Sequence, residues 1–321
     1  MRVIGSASGI DILAPDDAYF SYYNSPYISH SQGSSVDIYP SHKSWAEDVV
    51  SPVSGKIVQI KKMKMGNPKP FPTEDFDFAI GIKPESSDDS IVRIMHCRPD
   101  LRIGESVSIG DSIGVTLRSR FFNYWTGPHY HVEIMHEDMF HRSSRSYSFE
   151  CTIDTSILKA SPKKKSEAEF EIDLSEVTKD YVSGLCKGIG WASYGDLKGL
   201  PVSDNSESVM GILDGGISHY KHGGIVGGRD LEIGEEVFLA NLPVGTASNS
   251  NMFMRGPVIS AYIDGHRLRG ISCFIYPTIY SQSDEQPMVL VPQQYDQFTG
   301  LLREGDTVLL QLRENNMVKA P

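Results

Sequence analysis

The chain has 321 residues, 40% of them hydrophobic, which is enough for one large domain or two ordinary ones. Its formal net charge of −11 argues against a general nucleic-acid binder, because neutralising phosphates takes clustered Lys and Arg. The four cysteines stand far apart with no CxxC pair, which speaks against a disulfide framework or a Cys-rich zinc site and fits free thiols in a reducing compartment.

The opening stretch MRVIGSASGIDILAPDD has neither the apolar core nor the charged lead-in of a secretory signal. No segment approaches the roughly 18 apolar residues of a membrane helix. The expectation is a cytoplasmic protein with no membrane span.

From Val36 to about Ile134 the pattern is of short strands separated by Pro and Gly turns. SPVSGKIVQIKKMKM, FDFAIGIKP, SIVRIMHC and HYHVEIM each alternate apolar with polar residues, and no long 3.6-period segment intervenes. SILKASPKKKSEAEF then shifts the composition towards Ser, Lys and Ala, which predicts a linker over 156–167. The domains expected are therefore 1–155 and 168–321. In the second, AEFEIDL reads as a strand, SEVTKDYVSGLCKGI as a helix and PQQYDQFTGLL as a short helix. VISAYIDGHRLRGISCFIYP reads as a hairpin turning at Asp264-Gly265, and TVLLQLRE as a closing strand. The fold class expected is mainly β throughout, with one or two helices in the second domain.

Chemistry is carried by a few histidines and one aspartate. His129 and His131 stand two apart in a strand, so both imidazoles project from one face, and neutral imidazole is the commonest protein ligand for zinc. Such a pair also arises by chance as two exposed strand histidines. His30-Ser-Gln-Gly-Ser-Ser-Val-Asp37 can offer one nitrogen and one oxygen to a single ion across a Gly/Ser turn. Three protein ligands plus a water is the arrangement of a catalytic zinc. His96 closes the SIVRIMHC strand between these two segments.

Taken in order, these residues resemble the lysostaphin-type zinc metallopeptidases over about 110 residues, Tyr27 to Met135. SPVSGKIVQI is similar to the family's strand after the Asp, GESVSIGDSIGVT to its repeated Gly turn, and TGPHYHVEI to its closing Gly-Pro-His-x-His-x-Glu strand. The resemblance implies a duplicated-hybrid-motif β-sandwich holding one Zn2+ on His30, Asp37 and His131. It makes His96 and His129 the two catalytic histidines that are not ligands, one a proton acceptor and the other an oxyanion donor. The expected partner is a peptide or other amide substrate. The family's commonest form has its His four residues before the Asp, where this chain has Gly33. Its small loop before the closing strand is here LRSRFFNYWTGP, an aromatic wall of Phe121, Phe122, Tyr124 and Trp125. The competing readings are a metal-holding scaffold that processes nothing and a zinc hydrolase of a non-peptide amide or ester.

Two other motifs carry less. KKMKMG is similar to the Met-Lys-Met of biotin carriers, with Lys64 as the attachment lysine, but the expected glycine turn comes some forty residues late. GGISHYKHGGIVGG, with His219 and His222, holds six glycines and reads as a turning loop rather than a metal-binding helix.

Overall fold

The computed structural model describes residues 1–41, 44–151, 158–162, 168–227, 229–256, 259–281 and 284–314. The chain divides into two units, Met1–Tyr22 with Tyr27–Ile153, and Tyr23–Pro26 with Asp154–Pro321. Both are built of antiparallel strands, and the fold is mainly β.

The first unit is organised around one sheet. Its strands are β1 (Tyr19–Ser21), β2 (Val36–Tyr39), β3 (Gly55–Lys64), β4 (Phe76–Pro84), β5 (Ser90–Met95), β6 (Ser106–Val107) and β7 (Tyr130–His136), laid side by side as β6-β3-β4-β5-β7-β2-β1. Register follows from the pleat. His131 lies opposite Asp37 on one side and Met95 on the other, and Glu133 lies opposite Arg93. Opposed residues share a face, so Asp37, His131, Glu133, Arg93 and Met95 form one stripe. Further along the same face the stripe turns apolar at Ala79, Ile91 and Met135. The other face of β2 and β7 carries Val36, Ile38, Tyr130, Val132 and Ile134, all fully buried. A one-residue slip would exchange these faces, so the alternation itself fixes which side bears polar groups.

The expected strands at Phe76–Pro84 and 129–135 match β4 and β7 closely. Lys64 ends β3 inside a ladder, opposite Phe76. Among the described residues the unit's α-helix is the single turn α1 (Ile28–Ser31), and it accounts for the His30–Asp37 spacing. The turn, closed by Gly33 in the left-handed region at φ 62°, absorbs the extra residues before β2 begins.

In the second unit twelve strands form one sheet that closes on itself twice. Six strands run from His266–Cys273 through Ile259–Ile263, Thr307–Glu314, Ala168–Val177 and Val182–Lys187 to Glu285–Pro292, which pairs back with the first. Six more, from Pro201–Ser203 to Val209–Ile217, close in the same way. Closure removes the exposed edges that an open sheet of this size would present. The Asp264-Gly265 hairpin is present, with both residues at positive φ.

The expected helix at SEVTKDYVSGLCKGI is instead a hairpin. Val182, Gly184 and Cys186 are buried at every second position, a strand period, and Thr178 turns the chain by accepting the amides of Asp180 and Tyr181. The PQQYDQFTGLL segment is a run of bends and turns. Of the expected linker 156–167, residues 156–157 and 163–167 lie outside the described residues. Leu158–Pro162 is a strand paired with Gly190–Tyr194. The glycine-rich segment is also mostly strand, because Ile217 and His222 belong to paired strands joined by a tight turn. Among the described residues no helix is long and apolar enough to cross a membrane.

Candidate metal centre

α1, β2 and β7 bring three donors together. His30 Nε2 is 3.3 Å from Asp37 Oδ1 and 3.1 Å from His131 Nδ1, and His131 Nδ1 is 2.7 Å from Asp37 Oδ1. A tetrahedral zinc with bonds of about 2.0–2.1 Å holds its ligand atoms roughly 3.3 Å apart, so this triangle is close to the required size. Two imidazoles and a carboxylate also leave a fourth position for water or substrate. The residues fit a zinc ion, and the cluster could hold one.

The partners behind the ligands set their orientation. His30 gives its Nδ1–H to the Tyr22 carbonyl at 2.6 Å, which leaves the Nε2 lone pair facing the cluster. His131 Nε2 lies 3.3 Å from Glu133 Oε1, so its outer nitrogen meets a carboxylate and its Nδ1 is the donor atom. Glu133 is in turn gripped by Nε and Nη2 of Arg93, whose Nη1 donates to the Phe140 carbonyl. Metal-ligating histidines usually have such a partner on the second nitrogen.

Electrostatics follow from burial and proximity. Burial alone would raise the Asp37 carboxyl, but His30 and His129, with hydrogen bonds from His131 and His30, hold it well below the usual carboxylate range. Burial would lower His131, yet the Glu133 charge and the Asp37 hydrogen bond push it up to about 9. Burial likewise works against an ionised Glu133, and His131 and Arg93 bring it down to about 2. Without metal the cluster therefore keeps a proton on His131, which a divalent cation bound at Nδ1 would displace.

His96 and His129 flank the triad. His129 gives Nδ1–H to the Gly127 carbonyl at 2.9 Å and turns Nε2 towards Asp37 Oδ2, 3.6 Å away. Burial lowers it to about 4, against the pull of Asp37, so the ring is neutral at pH 7. His96 sits between β5 and the strand Cys97–Pro99 at φ 65°, its ring centroid 5.5 Å from that of His129 and 6.0 Å from that of His131. Its Nδ1 lies 2.7 Å from Asp77 Oδ2. All five site residues are at most 7% exposed.

The aromatic wall packs on these rings. Phe122 lies against both His96 and His129, Phe121 against His96, and Tyr27 stacks on Phe121. Tyr124 and Trp125 pair with each other further out, and Arg118 lies over Phe71 and Trp45.

Sequence reasoning assigned no role to Glu133, Arg93, Asp77 or Ser119. Glu133 had a signal, since 129, 131 and 133 share one strand face. Arg93 and Asp77 had none, because only the register sets Arg93 opposite Glu133, and Asp77 alone looks like a solvated residue opening a strand.

Residues 10–151 match the family model described as the N-terminal domain of a domain of unknown function (DUF8155). Residues 193–283 match the model of its C-terminal domain. The chain thus matches both parts of one family. No curated protein matches it. Among solved structures it is similar to the antimicrobial peptidase lysostaphin from Staphylococcus simulans, at 14% identity and TM-score 0.27, over 91% of this chain and 95% of that one. An NMR solution structure of lysostaphin gives 15% identity and TM-score 0.27, over 90% and 95%. At so low a score the likeness adds nothing to the site, which stands on the distances within this chain.

Proposed function

We propose that the first unit is a zinc-dependent hydrolase that cleaves a peptide or other amide bond. The observation that carries this reading is the triangle of His30 Nε2, Asp37 Oδ1 and His131 Nδ1, flanked by two histidines that do not belong to it. Zinc held there would supply a water acidified towards a pKa of about 7 and a Lewis acid for a carbonyl. His129, neutral and with its Nε2 lone pair directed at the ligand set, accepts the water's proton. His96 gives its Nδ1–H to Asp77, so its Nε2 carries a lone pair and donates to the oxyanion only after that nitrogen has taken up a proton. Phe121 and Phe122 exclude bulk water from both rings, which strengthens every charge interaction inside.

One observation favours a second reading. Five polar residues so deeply buried would also suit a module that keeps a metal and turns nothing over. Zinc stoichiometry and turnover separate the two. The full chain, purified with zinc, is expected to hold one ion and to cleave quenched-fluorescent peptides, and His129→Ala is expected to abolish cleavage while keeping the zinc. Zinc bound without cleavage of peptides, amides or esters favours the scaffold. Cleavage confined to small amides or esters makes it a hydrolase of non-peptide substrates. A chain that takes up no zinc refutes both readings.

A further inference from the structure

Behind His96 lies a carboxylate that the expected catalytic set does not include. Asp77, at the start of β4, has no exposed surface, and both its oxygens are committed. Oδ1 accepts the backbone N–H of Phe78 at 2.7 Å and that of His96 itself at 3.2 Å. Oδ2 accepts the His96 Nδ1–H at 2.7 Å and the Ser119 hydroxyl at 2.6 Å. One side chain thus grips both the amide and the ring of His96. That residue has a β-carbon and yet sits at φ 65°, a conformation that costs energy unless its surroundings impose it.

Ser119 extends the grip to the aromatic wall. Its Oγ accepts the Phe121 amide at 3.3 Å while donating to Asp77, and the Leu117 amide donates to the His96 carbonyl at 2.8 Å. The segment that carries Phe121 and Phe122 onto the His96 ring is therefore fastened to the same carboxylate that orients that ring. Asp77 could in principle be a buried structural acid. A structural acid, however, needs only to hold backbone, whereas this one gives its whole Oδ2 to the ring and to the hydroxyl that anchors the wall.

We propose that Asp77 is the positioning residue of His96, and that Ser119 couples it to the Phe121–Phe122 wall. Asp77 fixes the Nδ1–H tautomer and the left-handed backbone, so Nε2 is the nitrogen left for chemistry beside the metal triad. Ser119 makes the wall and the histidine one mechanical unit, so a substrate seated against the aromatic rings also bears on His96. This rests on the reading of His96 as catalytic, and the test is arranged to separate the two.

The test uses the 15N-labelled, zinc-loaded full chain and its Asp77→Asn and Ser119→Ala variants, with zinc content measured in each. Imidazole 15N–1H correlation spectra are expected to show His96 of the wild type as a single Nδ1–H tautomer. Asp77→Asn cannot accept all four donors, so the His96 signals should move to a mixture of tautomers at unchanged zinc content. Ser119→Ala removes only a hydroxyl and should shift the His96 and Phe121 signals together. Cleavage of quenched-fluorescent peptides should fall about 10- to 100-fold in Asp77→Asn, the usual range for losing an orienting partner. His96 signals unchanged in both variants overturn the proposal. If Asp77→Asn does not fold, the spectra of Ser119→Ala alone settle it, because that change leaves the buried carboxylate in place. A wild type that binds zinc but cleaves nothing ends the catalytic reading, while the tautomer measurement still rules on the positioning.

Discussion

The Tyr27 ring stacks on Phe121 with centroids 4.2 Å apart, and the Tyr27 hydroxyl donates to the Phe121 carbonyl at 3.1 Å. Tyr27 is the residue before α1, which carries His30, and Phe121 belongs to the wall fastened to His96. The pair therefore bridges the two sides of the candidate metal centre. An offset aromatic pair contributes about 0.5–1.5 kcal/mol beyond its burial. Tyr27→Ala or Phe121→Ala should then release zinc to a chromophoric chelator roughly 2- to 10-fold faster, with unchanged stoichiometry at the start. Equal extraction rates in wild type and variants would show that the stack does not guard the ion.

Glu133 faces His131 with one oxygen and Arg93 with the other, and both it and Arg93 are buried. Glu133→Gln keeps the shape but leaves the Arg93 guanidinium without its counter-charge. The loss of stability should be about 3–5 kcal/mol in the metal-free protein, measured by urea unfolding. Zinc affinity, read by competition with a chelator, should drop about 10- to 100-fold because the ligand behind which Glu133 stands loses its partner. A variant as stable as wild type would mean that the pair is hydrated in solution.

In the second unit His219 is half-buried, with Nε2 3.2 Å from the Ser272 hydroxyl and the ring lying against Gly216 and Gly270. Burial pushes it down to about 3; the Ile217 carbonyl opposes this, and Arg269 and Arg255 add to it. The folded value is below the unfolded one of about 6.5, so the unfolded chain binds the proton first. The neutral ring's contribution is complete above pH 6.5 and is lost as pH falls from there through about 3. Unfolding free energy at pH 7 minus that at pH 4 should be larger in wild type than in His219→Gln, on the order of 3 kcal/mol. Identical pH dependence in the two proteins would show that the ring is reached by water.

Gln286 on the strand Glu285–Pro292 has no exposed surface, and neither of its amide atoms finds a hydrogen-bond partner among the described residues. It stands opposite Cys186, two positions before Met288, in line with core residues. Replacing an unsatisfied buried amide with an apolar group of like volume removes a desolvation cost of about 1–3 kcal/mol. Gln286→Met should raise the unfolding free energy by that amount. A destabilised variant would instead mean that the amide is satisfied in solution.

The sequence alone determined the strand pattern of both units and the donor types of the site. Period-two alternation sets which side chains share a face, so His129, His131 and Glu133 were legible as one polar edge of one strand. The Asp264-Gly265 hairpin was legible for a similar reason, because the turn geometry is written in two adjacent residues. The segment at Val182 misled, because SEVTKDYVSGLCKGI carries enough helix-forming residues to mask an alternation that only burial in a closed sheet makes decisive.

What tertiary structure alone decided is which residues stand behind the site. His30 reaches Asp37 because one helical turn shortens the path between them, and His131 reaches it because β2 and β7 are neighbours in register. Arg93 meets Glu133, and Asp77 meets His96 and Ser119, across strands 40, 19 and 42 residues apart. Such pairings cost chain entropy that only the packing of the whole sheet offsets, so nothing local in the sequence announces them.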